Sequence, residues 1–253
     1  MSFIFVGNWK MNPVSSIDAK NLFGSYKKIA KKFARRKISL VACPSAPHLG
    51  LFLGAKKPKN LFLGAQDAFF EKSGAFTGEI SPVALYGVGA NYLILGHSER
   101  RRMGENIDAI SKKIKLALKT KFTVIVCVGE QQRDSEGEFW HQLRSEIEDV
   151  ISNVSKNDLK NVIIAYEPVW AVGEESKGAM SGEDLRETVL FIKKVVSQNY
   201  FGNVVKSLKV LYGGSVLPEN ARNLKEVGGV NGFLVGRESL IPKEIERILD
   251  EIS

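Results

Sequence analysis

The chain has 253 residues, of which 44% are apolar and 25% are charged, with 23 glycines and 8 prolines. This composition excludes a disordered or collagen-like protein and predicts a globular one with a sizeable core. The 36 Lys and Arg residues exceed the 28 Asp and Glu residues by eight, a surplus that suits nucleic acid, an anionic membrane surface or a small anionic substrate without choosing among them.

Eight short runs of apolar and β-branched residues recur about every thirty residues, the spacing of one buried strand followed by one covering helix. Apolar residues at helical spacing lie between the runs, as in Ile107, Ile110 and Ile114. Eight such units without a linker predict a parallel (β/α)8 barrel that forms one domain, residues 1–253. The predicted strands are Phe3–Gly7, Ile38–Ala42, Leu61–Ala65, Tyr92–Gly96, Thr123–Val128, Val162–Tyr166, Lys209–Tyr212 and Gly232–Val235.

An open, doubly wound sheet is the main alternative to the barrel. Its dinucleotide-binding signature, G-x-G-x-x-G after a strand, has only a partial counterpart at residues 87–92, which lacks the third glycine and precedes a strand. A G-x-S-x-G nucleophile turn is also incomplete, because Arg100 stands at the last position of the segment that begins at Gly96. Neither signature is therefore accepted.

Signals for disulfides, metals, membranes and nucleic acids are weak in this sequence. Cys43 and Cys127 each stand within an apolar run, which favours reduced thiols and a cytoplasmic location. No apolar stretch approaches the roughly 18 residues that span a bilayer, and no basic run alternates with aromatics, so we expect neither a membrane nor a nucleic acid partner. His48, His97 and His141 lack metal-ligand spacing, so no metal is expected.

Polar and ionisable residues follow the predicted strands at their C-terminal ends, where the active sites of such barrels form. The glycine-containing turns after the seventh and eighth strands predict a phosphate site built from backbone N–H groups. Taken alone, each of these residues also fits an ordinary structural role, as a hydrogen-bonded histidine, a surface charge or a turn. They are Asn8, Lys10, Gln66, His97, Glu99, Cys127, Glu130, Glu167, Gly213, Gly214, Ser215, Gly236 and Arg237.

Six segments resemble signature sequences of the triosephosphate isomerase family, in the family's order and spacing over the whole chain. They are Gly7–Asn12, Gly74–Ser81, Gly96–Arg101, Ala165–Ala171, Tyr212–Val216 and Gly232–Gly236. The resemblance implies interconversion of dihydroxyacetone phosphate and D-glyceraldehyde 3-phosphate, in glycolysis and gluconeogenesis, without cofactor or metal. The strand spacing predicts only the barrel, whereas the prediction of the reaction rests on the resemblance.

The resemblance also implies a role for each matching residue. Glu167 is expected to be the general base that moves a carbon-bound proton, and His97 the electrophile that polarises the carbonyl. Lys10 is expected to supply positive charge and Asn8 to orient the substrate. Residues expected to support these four or to bind the substrate beside them are Glu99, Cys127, Gly173, Ser215, Gly236 and Arg237.

A lid over the reaction intermediate and a homodimer are implied as well. The lid would comprise residues 168–179, with Gly173 on the phosphate. The segment Asp67–Ser81 is expected to dock beside Met11 of the partner subunit, with Thr77 reaching toward the partner's active site. The expected hinge residues of the lid are Pro168, Val169, Trp170, Lys177, Gly178 and Ala179.

Two places depart from the family pattern. Arg237 stands where a second glycine is usual, and we expect its side chain either to leave the barrel mouth or to add charge near the phosphate. The lid is one residue longer and contains Glu174 and Glu175, whose carboxylates we expect to face solvent when it closes. We interpret the surplus of positive charge as a field that favours a small phosphorylated dianion.

Two further hypotheses stay open beside the family's reaction. A different phosphate-binding barrel enzyme would need a Schiff-base lysine or paired carboxylates on other strands, and none is as well placed. A catalytically silent barrel kept for binding is the other, and the joint presence of Lys10, His97 and Glu167 argues against it.

Overall fold

The computed structural model describes residues 2–171, 180–200 and 205–253, the side chain of Lys206 excepted. Within these ranges, eight parallel strands close into a barrel in chain order. The last strand pairs with the first, with Ile4 opposite Gly232. The strands are β1 (Phe3–Asn8), β2 (Ile38–Cys43), β3 (Leu61–Ala65), β4 (Ala90–Leu95), β5 (Thr123–Val128), β6 (Val162–Tyr166), β7 (Lys209–Tyr212) and β8 (Gly232–Val235).

Helices cover the outside of the barrel and complete the predicted (β/α)8 architecture. Polar caps fix where several of them begin: Ser15, Asn106 and Ser181 each accept a hydrogen bond from a backbone N–H three residues ahead. No helix in the described ranges combines the length and apolarity needed to cross a bilayer. The helices described are α1 (Ser16–Lys32), α2 (Ala46–Leu49), α3 (Pro82–Gly87), α4 (Ser98–Arg102), α5 (Ile107–Lys119), α6 (Glu138–Ile151), α7 (Gly182–Asn199), α8 (Pro218–Glu226) and α9 (Pro242–Glu251).

The apolar residues of the strands form two layers, because successive side chains point to opposite faces of a strand. Ile4, Val6 and Ile125 belong to a cluster in the barrel interior. Phe5 and Val124 belong to the larger cluster between the strands and the helices. Strands buried on both faces read as continuous apolar runs, and this is why the sequence reveals them so clearly.

The predicted strand bounds agree with the structure except in three places. β1 and β2 each extend one residue beyond the prediction. The fourth strand was predicted at Tyr92–Gly96, whereas β4 begins at Ala90 and ends at Leu95. Pairing with β3 starts at Leu63 opposite Ala90, and the register then shifts so that Gly64 faces Tyr92. The polar, exposed Asn91 interrupts the apolar run on which the prediction rested, so the prediction began only at Tyr92.

A closed parallel barrel has two different ends. All strands finish at one end, which we call the C-terminal end of the barrel, and the β-to-α connections lie there. The α-to-β connections lie at the opposite end, which we call the N-terminal end. Every side chain that directly follows a strand is thereby brought to the same rim.

Candidate active site

A cleft opens at the C-terminal end of the barrel, and residues from six strand ends line it. Twelve residues that the sequence singles out are in its wall. They come from the segments after β1, β4, β6, β7 and β8, which are far apart in the chain. These residues are Asn8, Lys10, His97, Glu99, Glu167, Val169, Trp170, Gly213, Gly214, Ser215, Gly236 and Arg237.

Glu167 and His97 face each other in the cleft, and both side chains are buried. Glu167 Oε1 lies 3.3 Å from His97 Nε2. Glu167 Oε2 accepts a hydrogen bond of 3.0 Å from the backbone N–H of Ser98, whereas Oε1 accepts none from the part of the chain described. One carboxylate oxygen is therefore anchored, and the other is poorly solvated and free to accept a proton.

The hydrogen bonds of His97 define which nitrogen of its ring carries the proton. The backbone N–H of Glu99 donates to His97 Nδ1 at 3.2 Å. Because Nδ1 is an acceptor, we assign the proton of the neutral ring to Nε2, the nitrogen that faces Glu167 and the cleft. A neutral imidazole oriented in this way can donate a hydrogen bond to an oxygen in the cleft.

Lys10 has a left-handed backbone with φ of 53°, a conformation that costs a non-glycine residue about 1–2 kcal/mol. Contacts on both sides hold it there. Its N–H donates to Asn8 Oδ1 at 3.1 Å, and its carbonyl accepts from Gln66 Nε2 at 2.8 Å. Lys10 Nζ donates to Glu99 Oε1 at 2.6 Å. The hydrogen bond to Glu99 holds the ammonium group of Lys10 at the cleft wall.

The Lys10–Glu99 pair keeps opposite charges beside His97. Burial acts to raise the pKa of Glu99, but the hydrogen bond and the charge of Lys10 outweigh it, so that this pKa lies below its ordinary value. The stem of Lys10 passes close to Gly236, where a Cβ atom would come within 3.2 Å of Lys10 Cε. A side chain at Gly236 would require the stem of Lys10 to shift by a few tenths of an ångström, and glycine avoids that shift.

The turns after β7 and β8 present free backbone donors to the same cleft. None of the N–H groups of residues 214, 215, 236 and 237 donates a hydrogen bond within the described ranges. Arg237 is exposed at the cleft wall and forms no ion pair with a described residue. Unpaired N–H groups beside a cation are a suitable donor set for an anion such as a phosphate.

The predicted first hinge of the lid is tied to a buried carboxylate. Glu130 Oε1 accepts hydrogen bonds from Tyr166 Oη, Trp170 Nε1 and Arg133 Nε at 2.7, 2.9 and 3.1 Å. Arg133 also donates to Thr188 Oγ1 at 2.7 Å. Burial and the charge of Glu130 raise the pKa of Tyr166, so the phenol stays protonated as a donor. The indole of Trp170 is thus fixed at the edge of the cleft.

Several predicted residues lie away from the cleft wall. Pro168 is buried next to Glu167, and Cys127 lies beneath the base, where burial and the charge of Glu167 raise the pKa of its thiol well above the ordinary value. Cys127 is accordingly a neutral core residue. Met11 and Thr77 are exposed outside the cleft. Predicted positions that fall outside the described residues are Gly173, Glu174, Glu175, Lys177, Gly178 and Ala179.

Two contacts at the site involve residues that were not among the candidates chosen from the sequence. The first is the hydrogen bond from the Ser98 N–H to Glu167. Ser98 was considered only as a nucleophile, and a backbone donor cannot be recognised from the residue type. The second is Arg133, which lies in a polar loop with no periodic pattern. A signal existed for Glu130, which follows a strand directly, but its partners depend on packing.

Comparisons with known proteins agree with one another. The family model described as Triosephosphate isomerase matches residues 3–252. A protein named Triosephosphate isomerase from Natranaerobius thermophilus is 37% identical over 249 residues, covering 98% of this chain and 94% of that protein. Relatives of the same name from Geobacter metallireducens and Thermoanaerobacter pseudethanolicus are 37% and 34% identical. The match to the Geobacter protein covers 94% of this chain and 93% of that relative, and the match to the Thermoanaerobacter protein covers 98% of each.

Proposed function

The chain belongs to the triosephosphate isomerase family, and from that premise we propose that it interconverts dihydroxyacetone phosphate and D-glyceraldehyde 3-phosphate through an enediolate. The chain is an isomerase by its family and relatives, and a triose phosphate is its substrate. The observation that carries the detailed mechanism is the 3.3 Å approach of Glu167 Oε1 to His97 Nε2 in a cleft that also holds Lys10.

Proton transfer begins at Glu167. Oε1, which accepts no hydrogen bond from the described residues, removes the proton from the carbon next to the carbonyl and returns it to the neighbouring carbon. His97 donates from Nε2 to the carbonyl oxygen, and moves a proton between the two oxygens of the enediolate. Lys10 stabilises the negative charge that develops on oxygen, and Asn8 orients the substrate beside it.

Phosphate recognition is assigned to the turns after β7 and β8. The free N–H groups of residues 214, 215, 236 and 237 support this assignment, with the Ser215 side chain beside them. Arg237 adds a cation where the family usually has glycine. The phosphate takes no part in bond making, so its binding energy is available to close residues 168–179 over the intermediate, with Gly173 on the phosphate.

We also propose that the protein is a homodimer and one catalytic domain, working in the cytoplasm in glycolysis and gluconeogenesis without cofactor or metal. Exposed apolar side chains support the dimer: Met11 and Val14 are 88% and 91% exposed, and Phe76 and Val83 are exposed in and after the segment expected to dock. A partner subunit that docks at this segment would remove these side chains from water.

The test is an assay of the purified protein with dihydroxyacetone phosphate, alongside Glu167→Gln. We expect Glu167→Gln to lower kcat about 10²- to 10⁴-fold with little change in KM, because the variant keeps the shape of the base but cannot accept the proton. In D₂O, the glyceraldehyde 3-phosphate formed by the wild type should carry one deuterium on the carbon next to the carbonyl.

Asp158→Asn is the matched control, since it removes one negative charge at the N-terminal end of the barrel. It should leave kcat and KM unchanged. Wild-type protein that is inactive at micromolar concentration, Glu167→Gln as active as the wild type, or product without deuterium would each contradict the proposal.

A further inference from the structure

The N-terminal end of the barrel carries a concentration of positive charge that the proposed reaction does not use. Nine basic residues of the described α-to-β connections are exposed there. The same connections contain one acidic residue, Asp158, whose carboxylate accepts a hydrogen bond from Ser155 Oγ at 2.6 Å. We call these nine residues the basic face: Arg35, Arg36, Lys37, Lys56, Lys57, Lys59, Lys121, Lys156 and Lys160.

The charges of the basic face are not neutralised by neighbours. None of the nine forms an ion pair with any residue that the structure describes. Lys32, only three positions before Arg35, provides the contrast, because it pairs with Glu246 and Asp250 at 2.9 and 3.2 Å. Like charges gathered at one end of a molecule repel one another, and an anionic partner relieves that repulsion.

Two of the basic connections are packed side by side and form one continuous patch. Asn60 Nδ2, at the end of the second connection, donates to the carbonyls of Ala30 and Ile38 at 2.9 and 3.2 Å. These contacts hold Lys56–Lys59 beside Arg35–Lys37. Leu53, in the same connection, is 61% exposed, which places one apolar side chain at the edge of the patch.

The shape of the basic face favours a flat partner over a grooved one. The helices run alongside the strands and stop at this end, so none projects as a recognition element for a nucleic acid groove. The aromatic residues Phe33 and Phe122 of these connections are buried, and no fully exposed aromatic side chain is found among their described residues, so bases have no stacking platform. Lysines spread over one end of a barrel match a charged plane.

We propose that the basic face binds the surface of an anionic lipid bilayer. This revises the expectation that the protein has no membrane partner, which rested on the lack of a bilayer-spanning apolar stretch and did not consider where charge lies on the surface. Each Lys or Arg close to an anionic leaflet strengthens binding about fivefold at moderate salt, and Leu53 is positioned to enter the interface beside Lys56 and Lys57. The cleft lies at the other end of the barrel and faces the solution while the protein is bound. This inference is independent of the proposed reaction.

The test measures sedimentation of the full chain with vesicles of phosphatidylcholine, with and without phosphatidylglycerol. Wild-type protein should bind only the vesicles that contain phosphatidylglycerol, and high salt should release it. The variant R35Q/R36Q/K56Q/K59Q should bind at least about 100-fold more weakly than the wild type. The control K115Q/R186Q/K194Q/K243Q removes the same charge from exposed positions on α5, α7 and α9, and should lose no more than about threefold, from net charge alone.

Both variants should keep the isomerase activity of the wild type, which shows that they are folded. Three results would overturn the proposal: wild-type protein that does not bind the anionic vesicles, equal weakening in the two variants, and tighter binding to duplex DNA than to the vesicles. The second result would attribute the binding to net charge, and the third would assign the basic face to nucleic acid.

Discussion

The two ends of the barrel differ in which sign of charge predominates and in how many charged residues are paired. At the C-terminal end, acidic residues outnumber basic ones in the described connections, and many are paired, as Lys10 is with Glu99 and Arg100 with Asp67. At the N-terminal end, basic residues dominate the described connections, and the nine residues of the basic face form no ion pair with a described residue. The basic residues of the C-terminal end are Lys10, Lys72, Arg100, Arg101, Arg102, Arg133 and Arg237, and the acidic ones are Asp67, Glu71, Glu79, Glu99, Glu105, Glu130, Asp134, Glu136, Glu167 and Glu238.

This contrast corrects the interpretation of the net charge of +8 as a field directed at a phosphorylated substrate. The surplus cations lie at the end of the barrel away from the cleft. In the proposed function, the phosphate is bound by short-range donors instead: the N–H groups of residues 214, 215, 236 and 237, which donate no hydrogen bond within the described ranges, together with Lys10 and Arg237. Net charge is thus a property of the whole molecule and says little about one site.

Among substitutions that compare the two ends of the barrel, Lys10→Gln is expected to have the largest effect on catalysis. Removing the ammonium from the cleft should lower kcat/KM about 10²- to 10³-fold, because the charge that develops on the substrate oxygen loses a fixed partner. Lys37→Gln is the matched control, since Lys37 has the same φ of 53° at the other end of the barrel. Steady-state kinetics should show no change for Lys37→Gln. Comparable losses in both variants would mean that backbone strain, rather than position, decides the effect.

A smaller effect is expected for Arg237→Gln. This exposed cation stands beside the free N–H groups without an ion-pair partner in the described chain. Its removal should raise KM about three- to tenfold with kcat unchanged, since the phosphate is bound equally in the substrate and in the transition state. The salt dependence of KM should weaken as well. Arg36→Gln supplies the control from the basic face, and an unchanged KM for Arg237→Gln would show that this side chain leaves the barrel mouth.

The smallest effect concerns the alkaline limit of stability. Burial raises the pKa of Tyr212, below the cleft, from its ordinary 10.0 to about 12. The protonated phenol makes its full contribution to the free energy of unfolding below pH 10. This contribution is lost as the pH rises toward 12, because the unfolded chain gives up its phenol proton first. In Tyr212→Phe, the free energy of unfolding should therefore fall less steeply with pH, by up to about 1.4 kcal/mol per pH unit.

Urea unfolding at several pH values above 10 measures this slope. Tyr200→Phe tests the other end of the barrel, where burial also raises the pKa of a phenol that donates to the carbonyls of Ile151 and Val154. Tyr200 is less buried than Tyr212, so its substitution should flatten the slope less. Equal slopes for the wild type and Tyr212→Phe would disprove the linkage.

The sequence predicted the fold well because its strands are buried on both faces, so that Thr123–Val128 and Val162–Tyr166 are continuous apolar runs. It was wrong at β4, by two residues at the start and one at the end, because the polar Asn91 breaks the apolar run. The predicted residues of the cleft come together because each directly follows a strand. The roles that the resemblance assigns to them stay predictions.

Features that depend on distant parts of the chain could not be predicted in this way. The hydrogen bond from Ser98 to Glu167 joins positions 69 residues apart, and it involves a backbone group that every non-proline residue has. Arg133 gains its partners only when β5, β6 and α7 pack together. The basic face needs the fold as well, because Lys59 and Lys156 become members of one surface only when the barrel closes.

The cleft is complete only after β8, the last strand in the sequence, has paired with β1. Gly236 lies against Lys10, and Tyr26 donates to the carbonyl of Ser239 at 2.9 Å, so segments from the two ends of the sequence meet at the cleft. Lys10, His97 and Glu167 all precede β8 in the chain. We therefore expect activity to appear during refolding only after β8 has paired with β1.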